Sequence, residues 1–125
     1  PDHTVMAREI LGQGPLLAPE QMVVIDTDLR RARGVARANM QRYLRLPNYT
    51  NNLLRCGFTQ TDIDNVTDRL VDGIVACGDI DAAVDRVQQH LDAGADHVCI
   101  QVLVENNDLD ATIGLWRELA DAYSL

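Results

Sequence analysis

The stretch from residue 78 to residue 103, GDIDAAVDRVQQHLDAGADHVCIQVL, constrains the fold more than any other part of the chain. It predicts a helix, a glycine stop and a strand in direct succession. Asp79 stands where its carboxylate can accept from the first unpaired N–H groups of the helix. Ile80, Val84, Val87 and Leu91 follow at helical spacing and make one apolar stripe. Gly94 stands where a helix ends in the left-handed conformation that glycine adopts cheaply. Residues 97–103 read as a strand buried on both faces, as in a parallel sheet covered by helices. Cys99 inside that strand reads as a buried, inert thiol, and His90 as a residue on the outer side of the helix. The unit is αβ, the module of α/β barrels and doubly wound sheets.

The rest of the chain repeats this alphabet. Residues 2–11 predict a short helix with Asp2 as cap, and Gly12, Gly14, Pro15 and Pro19 break it. Residues 21–25, QMVVI, predict a second strand, ending at Asp26 and Asp28, which read as helix caps. A helix over 29–44 follows, with Leu29, Ala32, Ala36, Met40 and Tyr43 inward. Its arginines read as a solvated outer face. Thr50 caps a short helix reaching Cys56, and threonines open two more helices, over 59–66 and 67–77. A last helix over 109–123, capped by Asp108, turns Leu115, Trp116, Leu119 and Tyr123 inward. Two strands are visible. Two parallel strands leave edges unpaired and one apolar face open, so the chain reads as the end of a larger α/β fold.

Composition narrows the function classes. The chain has 125 residues and a net charge of −8, with the acid spread along it. That balance argues against nucleic acid or an anionic membrane as a partner. All eleven basic residues are arginine, which excludes Schiff-base and phosphate-loop lysines. The histidines and the three cysteines lack metal-ligand spacing, so no metal is expected. No apolar run of membrane-spanning length and no signal peptide is visible. The expected setting is a reducing cytoplasm.

Two stretches, one from APEQMVVIDTDLRRARGVARANMQRYLRLPNYTNNLLRCGFT and one from RLVDGIVACGDIDAAVDRVQQHLDAGADHVCIQVL, carry a resemblance. Together they resemble the C-terminal part of luciferase-like monooxygenases. YLRLPNYTNN points to the coenzyme F420-dependent oxidoreductase branch found in high-GC actinobacteria. The resemblance implies the C-terminal portion of a (β/α)8 TIM barrel, with 21–25 as strand seven and 97–103 as strand eight, so that the whole of 1–125 belongs to one luciferase-like domain. It implies a hydride-transfer enzyme acting on a small organic substrate, with F420, or alternatively FMN, at the C-terminal mouth of the barrel. Most of its reactive groups would lie upstream, leaving catalytic residues unassigned in this chain.

Asn48, Tyr49, Thr50, Asn51 and Asn52 form a polar, uncharged run that a plain βα repeat does not need. Amide and hydroxyl groups there suit a flavin-like ring or a polar tail, and they equally suit a turn and helix cap. Gln101, late in the last strand, either reaches a ligand or finds a partner in the core. The cofactor- or substrate-binding candidates are therefore Asn48, Tyr49, Asn51, Asn52 and Gln101. A homo-oligomer is expected. The alternative reading is a non-enzymatic, self-associating α/β remnant that survives by pairing its open sheet edges.

Overall fold

The computed structural model describes residues 1–124. Among them, seven α-helices surround one small parallel sheet. The elements run α1 (Asp2–Leu11), β1 (Glu20–Ile25), α2 (Leu29–Tyr43), α3 (Pro47–Arg55), α4 (Gln60–Asn65), α5 (Asp68–Ile74), β2 (Ala76–Gly78), α6 (Ile80–Asp92), β3 (Cys99–Val102) and α7 (Leu109–Ala122). The α/β class expected from the chain is therefore present. The strand count is not as expected, because residues 76–78 form a third strand rather than the end of a helix. The helix before it stops at Ile74.

The strand order is β2-β1-β3, all parallel. Val23 pairs with Ala76 on one side and with Val102 on the other. The first crossover therefore moves to one edge of β1, and the second returns past β1 to the opposite edge. Right-handed crossovers that move in opposite directions must pass over opposite faces of a sheet. The packing follows. Val24 joins Ala32, Ala36 and Met40 of α2 with Leu70 and Val71 of α5 on one face. Val23 joins Ala76, Ala83 of α6 and Leu119 of α7 on the other. A barrel wall keeps its helices on one side; this sheet carries them on both.

Local chemistry sets the helix limits. The Asp28 carboxylate accepts from the N–H groups of Arg30 and Arg31 and starts α2. Asp79 caps α6 and Asp108 caps α7 in the same way. Thr59 and Asp62 form a reciprocal capping box at α4. Asp62 also accepts from the Thr67 hydroxyl and from Arg69. The Thr59 N–H and the two threonine hydroxyls hold its pKa well below the usual carboxylate range. Gly94 takes φ 95°, and a side chain there would meet Arg8. Arg8 fastens α1 by donating to the Gly94, Gly12 and Pro15 carbonyls and pairing with Asp96.

Several expected positions are corrected. The last strand is shorter than 97–103 and is an edge strand, half-open to solvent rather than buried on both faces, so Cys99 is exposed. His90 is buried, and Leu91 faces outward; the inner stripe of α6 is Ala83, Val87 and His90. Leu29 and Trp116 are also exposed. The α2 arginines are partly consumed in ion pairs: Arg31 with Asp26, Arg33 with Asp68 and Asp72, Arg37 with Asp68. Asp2 lies within the first turn of α1, and Pro1 takes the cap position. Thr50 does not cap α3. Leu46 precedes the helix, Pro47 opens it, and the Thr50 hydroxyl donates to the Pro47 carbonyl.

Leu70 is fully buried between α2, α5 and the sheet. Leu70→Ala is expected to lower unfolding free energy by about 2–5 kcal/mol with an unchanged denaturant slope, measured by urea titration.

Candidate functional site

Two hollows lie at opposite ends of the sheet. The first is at the C-terminal strand ends, where the helix after β1 leaves over one face and the helix after β3 leaves over the other. In open parallel sheets such a point of divergence is where ligands sit. The hollow encloses about 440 Å³ between α2 (Gly34, Val35, Ala38, Asn39, Arg42) and the chain from Leu103 to Asn107. Among the described residues, α2 packs mainly on β1 and β2 and α5 on β2. The loop turns sharply here: Asn106 and Asn107 take φ 56° and 53°, a left-handed pair that asparagine tolerates better than most residues.

Two buried amide oxygens on this side have no hydrogen-bond partner. One is Asn39 Oδ1 on α2. The other is Gln101 Oε1, on the same face of β3 as the core residue Leu103. A buried acceptor without a donor costs about 1–3 kcal/mol. Both would accept from an N–H or O–H group brought by a ligand or a neighbouring chain. Gln101 thus meets neither of the two fates expected for it within the described residues.

The second hollow, about 630 Å³, lies at the N-terminal strand ends. The position follows from topology: α2 runs back along β1, so its end and all of α3 reach the start of the strand. Met22, Met40, Leu53, Phe58 and Ile74 give it an apolar wall. Tyr49 and Asn52 of α3, and Cys56 at its C-terminal cap, also line it. Beside it runs a buried polar chain. Gln21 Nε2 donates to the Met22 and Ile74 carbonyls, at 2.6 and 2.9 Å. That fixes Gln21 Oε1 as the acceptor toward His90 Nε2, 2.9 Å away. His90 Nδ1 then accepts from the Thr4 hydroxyl at 2.8 Å. The imidazole is neutral in this arrangement, and burial pushes its pKa down to about 4.

The expected site residues are therefore divided. Tyr49 and Asn52 line the cavity at the N-terminal end, Asn48 and Asn51 are exposed on the outer side of α3, and Gln101 lies on the edge strand. Asn39, Arg42 and the buried His90 were not singled out from the sequence. Asn39 carries no local signal, sitting in an ordinary arginine-rich helix; His90 does fall at helical spacing from Ala83 and Val87, which links it to the buried face.

Among the described residues, no cluster of three or more His, Cys, Asp or Glu could hold a metal ion. No described helix is long and apolar enough to cross a membrane. Comparison with protein-family models, curated proteins and solved structures returned no match.

His90 has a lower pKa folded than unfolded, so the unfolded chain takes up its proton first on acidification. The stability it contributes is present above pH 6.5 and is lost as pH falls from 6.5 toward 4. The expected loss is on the order of 2–3 kcal/mol. Urea unfolding at pH 7 and pH 4 is expected to show a fall smaller by that amount in His90→Asn than in the unsubstituted protein.

Proposed function

We propose that this chain is the C-terminal closing part of a luciferase-like, F420-dependent oxidoreductase acting on a small organic substrate. The reading rests on YLRLPNYTNN and GDIDAAVDRVQQHLDAGADHVCIQVL, together with one structural observation: β1 and β3, the segments that resemble barrel strands seven and eight, are hydrogen-bonded parallel neighbours. The outer edge of β3 is unpaired, where a barrel would continue to strand one.

Asn39 and Gln101 are chemically suited to the polar edge of a deazaflavin ring, because their orphaned oxygens accept from ring N–H groups. Arg42 lines the same hollow as Asn39 and suits an anionic substituent. Bound F420, or FMN in the alternative, supplies hydride transfer. The chain's own residues form one wall of the pocket, orient the ring through these amides and exclude water. Asn48, Tyr49, Asn51 and Asn52 lie at the other end of the strands from a cofactor held at a barrel mouth. The proposal also requires two rearrangements: β2 occupies the edge of β1 that barrel strand six would take, and α6 and α7 cover the sheet face opposite α2, so joining to upstream strands displaces both.

A second reading is favoured by the open β3 edge and the exposed Cys99: a non-enzymatic, self-associating α/β unit. Sedimentation distinguishes it, since a self-associating unit dimerises as concentration rises and binds neither cofactor.

The deciding test is a fluorescence titration with F420 and with FMN. It compares the chain alone with a chimera in which it replaces the closing segment of an F420-dependent luciferase-like enzyme. Micromolar F420 binding by the chimera, with FMN at least tenfold weaker, is expected. A folded chimera that binds neither sinks the proposal. In the chimera, Asn39→Leu is expected to weaken F420 binding about tenfold while raising stability by up to ~1 kcal/mol, since it removes an orphaned acceptor. Loss of stability and binding together would mark Asn39 as structural.

A further inference from the structure

We infer that the cavity at the N-terminal strand ends is a binding site for a small, uncharged, largely apolar molecule that carries a hydrogen-bonding group at one end. This site is separate from the hollow at the C-terminal ends and does not depend on the function proposed above.

The volume comes first. The cavity is a cleft open on one side, and its volume of about 630 Å³ falls within the range of small-molecule sites. Its walls are held by contacts that do not fill it. Phe58 lies against Gly73 so closely that a Cβ there would sit 2.6 Å from Phe58 Cζ. The Arg69 guanidinium stacks over the other part of that ring, 5.0 Å from its centroid. The Tyr43 and Tyr49 rings pack at 5.2 Å and brace α3 against α2. A pre-formed, wall-supported cavity binds without a large ordering cost.

Charge selects the ligand. The Arg69 cation is already paired with Asp62 at 2.6 Å and donates to the Gly57 carbonyl. His90 is neutral, with both ring nitrogens engaged by Gln21 and Thr4. Glu20 and Asp2 stand among the lining residues and repel anions. Glu20 and Asp2 are exposed, so a cation seated against the apolar wall would leave these carboxylates behind. An uncharged ligand therefore fits best, its apolar body against Met22, Met40, Leu53 and Ile74. Tyr49 and Asn52 on α3 and the Cys56 thiol just beyond its end are left to receive its polar end.

The test uses N-phenyl-1-naphthylamine, a neutral apolar fluorophore with one N–H, titrated into the full chain. A single saturable site with micromolar affinity is expected, and Cys56→Phe is expected to weaken it at least tenfold. Because that variant can lose the fold, a second readout uses the unsubstituted protein. Saturating probe is expected to slow alkylation of Cys56 at least fivefold, while the exposed Cys99 reacts at an unchanged rate. No saturable binding by folded protein overturns the assignment. So does Cys56 reactivity that ignores the probe. Equal affinity for an anionic naphthalene sulfonate overturns the selection for uncharged ligands. Probe affinity that falls as protein concentration rises overturns it too, by showing that a second copy fills the cavity.

Discussion

Everything in this fold is referred to β1. It is the one strand among those described that is paired along both edges, and its two central valines point to opposite faces. Val24 anchors the core under α2 and α5, and Val23 anchors the core under α6 and α7. The strand alternates by one residue, so two adjacent side chains seed two separate hydrophobic layers. Neither layer closes unless β2 and β3 take opposite edges. The handedness of the crossovers then dictates which helix covers which face.

The two hollows follow from the same constraint. Three strands are too few to occupy the helices that flank them. The first hollow opens between α2 and the chain that leaves β3, and the unpartnered Asn39 lines it. At the N-terminal end, the long excursion from α2 through α3 to α5 arches past the sheet before returning as β2, and the second hollow lies beneath it. In the second, Gln21, His90 and Thr4 satisfy one another, whereas the first leaves the Asn39 acceptor open. That difference makes the first suited to a hydrogen-bonding ligand and the second to an apolar one.

Much of the secondary structure could be read along the chain because its signals are local. Asp28, Asp79 and Asp108 cap the helices that follow them, and Gly94 ends α6 in the left-handed conformation foreseen for it. QMVVI is a strand because a short β-branched run between turn residues suits a pleated, buried position. The site was much less legible. Asn48, Tyr49, Asn51 and Asn52 stood out as a polar run, yet helical rotation puts Tyr49 and Asn52 on the cavity side and their neighbours Asn48 and Asn51 toward solvent. Asn39 has no sequence signal at all, because whether its buried oxygen finds a donor is settled by tertiary packing and not by its neighbours along α2.

Capping residues, glycine stops and β-branched runs act within a few residues of themselves, so the sequence settled the helices, the two longer strands and the α/β class. β2 lay beyond that reach. Ala76, Cys77 and Gly78 are too few and too small to declare a strand, and they become one because β1 offers an unpaired edge. The burial of His90, the exposure of Cys99 and Trp116, and the division of helices between two faces belong to the same class of outcome. Each depends on which surfaces meet across long separations, and only the assembled tertiary structure brings those surfaces together.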